Sequence, residues 1–163
     1  MSQKVICLLK KYPEMIQERS LLAGQIKGFQ GCTGQEVIEA MNFHTPDGEH
    51  VQNSLNTGRI EDIALEYEER LLRINREWLW HLTCQHQELN QEIHFLESAL
   101  HALPQEQADL MWDLVVNQMT WDQMEAKYRY TRAGISYIRR KAIQTLDRMY
   151  FKRDVDTAAY LLS

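Results

Sequence analysis

The stretch TWDQMEAKYRYTRAGISYIRRKAIQTL, Thr120 to Leu146, decides how this chain is read. It divides into two short amphipathic segments around a tight turn. Thr120 can cap the first segment, and Gln123, three residues on, completes a capping box. Trp121, Met124 and Tyr128 follow at spacings of three and four, one buried stripe of a helix. Arg129 and Tyr130 fall in the turn. Thr131 caps the second segment, and Ile135, Ile138, Ala142 and Leu146 give its inward stripe, packed against Leu110, Leu114, Trp121 and Met124. Two capped helices in this order, the second with a basic outer face, are the sequence form of a helix-turn-helix.

Charge is concentrated in the same place. The chain of 163 residues carries a net −5, yet Lys127 to Arg153 holds nine basic residues against Asp147 alone. That segment is therefore +8, which leaves −13 for the rest. A basic face on an acidic body can bind a phosphate backbone while the body discourages non-specific coating.

At these residues the chain resembles the DNA-binding region 4 of sigma-70-type transcription initiation factors. The shared pattern runs without a gap through Thr120, Trp121, Asp122, Gln123, Met124, Tyr128, Thr131, Arg132, Ile135, Ile138, Lys141, Ala142, Ile143 and Leu146. Leu103-Pro104-Gln105-Glu106 is similar to the start of the helix that leads into that region. The resemblance covers roughly residues 103–150, and it implies double-stranded DNA as a partner. By resemblance, Arg132, Ala133, Ser136 and Tyr137 are the positions that touch bases. Arg132 keeps the family residue, and arginine can pair with guanine O6 and N7. Ala133, Ser136 and Tyr137 stand where housekeeping factors carry Glu, Arg and Gln, so the target sequence is not inherited with the fold. Gly134 inside the helix costs about 1 kcal/mol against Ala and suggests close approach of the backbone. Thr131, Arg139, Arg140, Lys141, Lys127 and Arg129 complete the expected DNA-contacting set, with Arg132, Arg139 and Arg140 expected on the outer face. Contact with RNA polymerase is a further implication of the family.

Upstream, residues 5 to about 28 read as a first packing helix, interrupted by Pro13, so that its continuous part is expected to start near Tyr12. Residues 28–59 are glycine-rich and turn-rich, with Thr33 and Glu36 able to cap a short helix through Met41 whose Val37, Ile38 and Met41 point inward. Residues 60–103 form the longest periodic segment: Ile60, Ile63, Tyr67, Leu71, Ile74, Trp78, Leu82, Gln85, Leu89, Ile93, Leu96, Leu100 and Leu103 advance by threes and fours. A helix of that length, continuous or bent at Thr83 to His86, needs a partner surface. The expectation is pairing with the first helix or a homodimer through residues 60–103. The layout is similar to that of small regulators from prophages and mobile elements.

The expected fold class is all-α, with residues 1–102 as an oligomerisation or partner domain and 103–163 as the DNA-binding domain. His94, Glu97 and His101, like His81, Cys84 and Glu88, share one helix face, but a metal site needs further ligands from elsewhere, and no metal or cofactor is expected. Cys84 has no visible third member of a triad, and no catalytic constellation is present. Three widely spaced cysteines, no apolar run of membrane-spanning length and no signal-peptide core point to the cytoplasm and to no membrane. The region before the motif lacks the basic-aromatic cluster that melts a promoter, so a complete initiation factor is not expected. The expected function is a sequence-specific duplex DNA-binding regulator. The competing class is a helical adaptor acting through the long helix.

Overall fold

The computed structural model describes residues 2–36 and 57–162, with the side chains of Ser2 and of residues 57–66 outside the description. Among the described residues the chain is all-α: α1 (Ser2–Lys27), α2 (Thr57–His101), α3 (Gln105–Val115), α4 (Trp121–Tyr128) and α5 (Arg132–Leu161), with no strand. No described helix is long and apolar enough to cross a membrane. The chain forms two compact units, Met1–Ser20 with Glu88–Ser163, and Leu21–Gln87. The unit that contains the motif therefore extends beyond residues 103–163.

That larger unit has one core. Val5, Leu9 and Tyr12 of α1 meet Ile93, Leu96 and Leu100 of α2, and the cluster continues through Leu110, Met111, Met124, Ile135, Ala142 and Leu146 to Tyr150. The expected start of α1 near Tyr12 is corrected here, because the helix runs through Pro13 from Ser2. An internal proline costs about 3 kcal/mol. Burying Val5, Leu9 and Tyr12 returns about 1.5–3 kcal/mol per large apolar side chain, which outweighs it. Tyr12 also donates to Glu97 at 2.7 Å. Burial, then the hydrogen bond and charge of Glu97, push its phenol up to about 12.

α2 is unbroken through Thr83–His86, where Thr83 Oγ1 donates back to the Leu79 carbonyl at 2.8 Å. It ends at His101, before the buried Leu103 and before Pro104, which caps the start of α3 and disfavours continuation of the helix. Ile93, Leu96, Leu100 and Leu103, expected partly as a dimer seam, are buried inside the chain's own core, and Leu89 is half-buried against it. α4 starts on a complete capping box: Gln123 N–H donates to Thr120 Oγ1 at 3.4 Å, and Thr120 N–H donates to Gln123 Oε1 at 2.8 Å. Two left-handed residues bracket it, Gln118 at φ 53° and Arg129 at φ 55°. Thr131 caps α5 by accepting from Gly134 N–H at 3.3 Å.

The second unit joins the stretch after α1 to the middle of α2. Asn75 accepts from Cys32 N–H at 2.7 Å and donates back to its carbonyl at 3.4 Å. Gly31 lies at φ 78°, where a Cβ would meet the Asn75 side chain at 2.7 Å, so only glycine fits this approach. Tyr67 donates to the Gly34 carbonyl, and Phe29 meets Trp78 edge to face at 6.4 Å. Thr33 and Glu36 form the expected reciprocal cap, with Thr33 N–H donating to Glu36 at 2.7 Å and Glu36 N–H to Thr33 Oγ1 at 3.4 Å. Val37, Ile38 and Met41 lie outside the described residues.

Candidate nucleic-acid interface

The angle between α4 and α5 is set by side chains that bridge the turn. Glu125 of α4 accepts from the backbone N–H of Arg132 at 2.7 Å, so a carboxylate sits on the first turn of α5, where the helix dipole favours it. The same carboxylate takes Arg132 Nε at 3.4 Å, and Asp122 takes the Arg132 Nη2. These contacts, that of Asp122 foremost, raise the guanidinium above its ordinary value. Arg132 is thus held by two acidic residues of α4. Exposed pairs of this kind contribute little to stability, so a better acceptor can displace them.

A second bridge fixes α4 to α3. Asp113 is 5% exposed and accepts from Asn117 at 2.7 Å, from Tyr128 OH at 2.7 Å and from Lys127 Nζ. Burial opposes its ionisation, but the three donors prevail and hold its carboxyl below the usual range. Burial and the bond to Asp113 push the Tyr128 phenol up, well above its ordinary value. Lys127, expected on DNA, is here the charge partner of a buried carboxylate.

The remaining expected residues divide between the two sides of α5. Ala133, Tyr137, Arg140 and Lys141 are exposed, and at about 100° per residue they lie within about 60° of one another's mean direction. Tyr137 is 55% exposed, with the Lys141 ammonium 4.6 Å from its ring centroid. Ser136 is half-buried at the edge of this face, Thr131 is engaged as the cap, and Arg129 projects from the turn. Arg139 does not join them. It stands four residues after Ile135 and three before Ala142, the spacing of the buried stripe, and lines a groove with Leu9, Lys10, Leu114 and Trp121. Its expected outward placement is corrected by the helical period itself.

Two smaller expectations also change. Trp121 remains 38% exposed at the first position of α4, along that groove. Ile138 is half-buried, and the stripe runs instead through Ile143 and Leu146 to Tyr150. A Cβ on Gly134 would meet only Tyr130 and Thr131, at 3.6 and 3.7 Å, so packing does not demand glycine there. Of the possible metal ligands, Glu97 is the acceptor of Tyr12, and His101 lies against Trp112 with ring centroids 4.3 Å apart.

Among the described residues no carboxylate lies within ion-pair distance of Arg129, Arg140, Lys141, Arg148 or Lys152. The outer face of α5 is therefore a cationic strip with no paired carboxylate, carrying the exposed rings of Tyr137 and Phe151, a surface chemically suited to a polyanion. Sequence reasoning missed Asp113, Asp122 and Glu125. The acidic pair three residues apart beside a basic turn was the available signal for the last two. Comparison with family models, with curated proteins and with solved structures returns no match.

Proposed function

We propose that this chain is a cytoplasmic, duplex DNA-binding transcriptional regulator of the sigma-70 region 4-like helix-turn-helix kind, similar to the small regulators of prophages and mobile elements. The carrying observation is the exposed strip of Ala133, Tyr137, Arg140 and Lys141, itself free of paired carboxylates, beside a turn fixed by Thr131 and Glu125. Arg132 reads a base once DNA takes it from Asp122 and Glu125, and Arg129 and Arg140 meet phosphates. Contact with RNA polymerase belongs to the same reading. The test is selection of bound fragments from a random duplex pool. An enriched motif that is lost on Tyr137→Ala is expected, and failure to retain any duplex at low salt rejects the reading.

A second reading is supported by one observation. Leu72, Leu79 and Trp80 stand exposed on α2 at spacings of seven and one, Trp80 at 68%. These residues favour self-association through α2, with the seam on this part of the helix rather than at Leu96. Sedimentation of Leu72→Glu/Leu79→Glu decides it: a parent dimer that the variant dissociates is expected, and a monomeric parent at micromolar concentration removes the homodimer.

A further inference from the structure

α5 is longer than reading a groove requires. Its 30 residues extend about 45 Å at ~1.5 Å per residue, against a major groove about 12 Å wide. The exposed face does not lose its charge beyond the first turns. At about 100° per residue, Lys141, Arg148 and Lys152 fall within about 60° of Tyr137, and all three are exposed. Arg148 lies about 16 Å and Lys152 about 22 Å along the axis from Tyr137. Arg148 makes one neutral contact, donating to Thr145 Oγ1 at 3.3 Å. Asp147 and Asp156 border this face about 80–100° away, and Asp154 is taken by Lys4 at 2.6 Å and by Arg153.

The rotation of this distal segment is fixed from the opposite side. Arg153 packs against both rings of the edge-to-face pair Phe95 and Tyr150, with ring centroids 4.4 and 4.6 Å away, and donates to Glu92 at 2.8 Å. Burial opposes its charge, but Glu92 and Asp154 keep its guanidinium above its ordinary value. Arg148 and Lys152 are therefore presented in a set direction, in line with Tyr137 and Lys141.

We propose that Arg148 and Lys152 form a second contact site, for the phosphodiester backbone flanking the bases read by the first turns of α5. This rests on the duplex-binding reading above. Phe151 and Val155 are also exposed on this face, which makes an anionic bilayer the rival surface. Continuity with the Tyr137–Lys141 strip on one fixed helix favours the nucleic acid.

The experiment measures duplex affinity across a salt series for the parent, for Arg148→Ala/Lys152→Ala and for Lys10→Ala/Lys11→Ala, which removes equal charge from α1. The first variant is expected to flatten the log–log salt slope by about 1.8, at 0.9 per phosphate, with the ranking of sequences unchanged. Phosphate-ethylation interference should lose its outermost sites in the same variant. Lys10→Ala/Lys11→Ala should keep the parent slope, and Arg148→Lys/Lys152→Arg should restore it. Equal flattening by both alanine pairs, or none by the first, overturns the site while leaving the duplex reading intact. So does loss of binding to phosphatidylserine vesicles without any change on duplex. A parent that binds no duplex removes both claims.

Discussion

The two faces of α5 obey different rules. On the inner face, Ile135, Ala142, Leu146 and Tyr150 are almost wholly removed from water, and each has its neighbours chosen by shape. On the outer face, Ala133, Tyr137, Arg140 and Lys141 touch little, and their order is constrained by nothing inside the protein. One helix thus separates what holds the fold from what meets a partner, and substitutions should sort by angle around its axis rather than by position along it.

The sharpest way to break that contrast is at its inner pole. Leu146→Ala removes a fully buried side chain between α3, α4 and α5 and is expected to destabilise by about 2–5 kcal/mol in denaturant unfolding. A loss below 1 kcal/mol would mean that the stripe is misassigned. Next comes the bridge that orients α4. Asp113→Ala leaves Tyr128 and Asn117 without their acceptor and should cost roughly 1–3 kcal/mol.

That bridge also sets a pH window. Asp113 titrates lower in the folded chain than the ordinary value near 3.9, so its contribution is complete above about pH 4 and is lost as pH falls through the folded value. Tyr128 titrates higher than the ordinary value near 10, so its contribution is complete below about pH 10 and is lost as pH rises through the folded value. Unfolding measured from pH 2 to 5 should fall less steeply in Asp113→Ala than in the parent. Parallel curves would show that folding does not shift the Asp113 carboxyl.

Gly134→Ala probes the boundary between the faces. The added methyl meets no clash, and helix propensity alone should raise stability by up to about 1 kcal/mol, read as a higher denaturant midpoint. A loss would reveal a close approach absent from the free chain. Tyr137→Ala lies at the outer pole and should shift stability by no more than about 0.5 kcal/mol. Its effect should appear only in which duplexes are selected. A variant that unfolds would put this ring inside rather than out.

The elements that the sequence made legible were those specified locally. Thr120 with Gln123, Thr33 with Glu36 and Thr131 all cap as their spacing announces, since a cap needs only residue type and a neighbour one turn away. Helix through Pro13 was not legible, because the compensating burial comes from Ile93 and Leu96, distant in the chain. The Asp113 cluster was hidden for the same reason: Lys127 and Tyr128 reach it from the next helix. Arg139 is a different case. Its spacing from Ile135 and Ala142 was in plain view, and that period puts it beside the buried stripe rather than on the outer face where it was expected. The long apolar period of α2 signalled a helix correctly, yet periodicity alone does not say which chain covers the stripe, and Leu96 is covered by its own.

Arg129 closes α4 in a left-handed conformation usually filled by glycine. An L-residue there bears about 1–2 kcal/mol of strain. Glycine would relieve it, but would loosen the unfolded chain by about 0.4–1 kcal/mol. The second term offsets only about half of the first, so arginine at this corner costs the fold on the order of 1 kcal/mol relative to glycine. The corner is therefore held by a side chain that its own backbone disfavours, which leaves the exposed charge, rather than the conformation, as what distinguishes this residue from glycine.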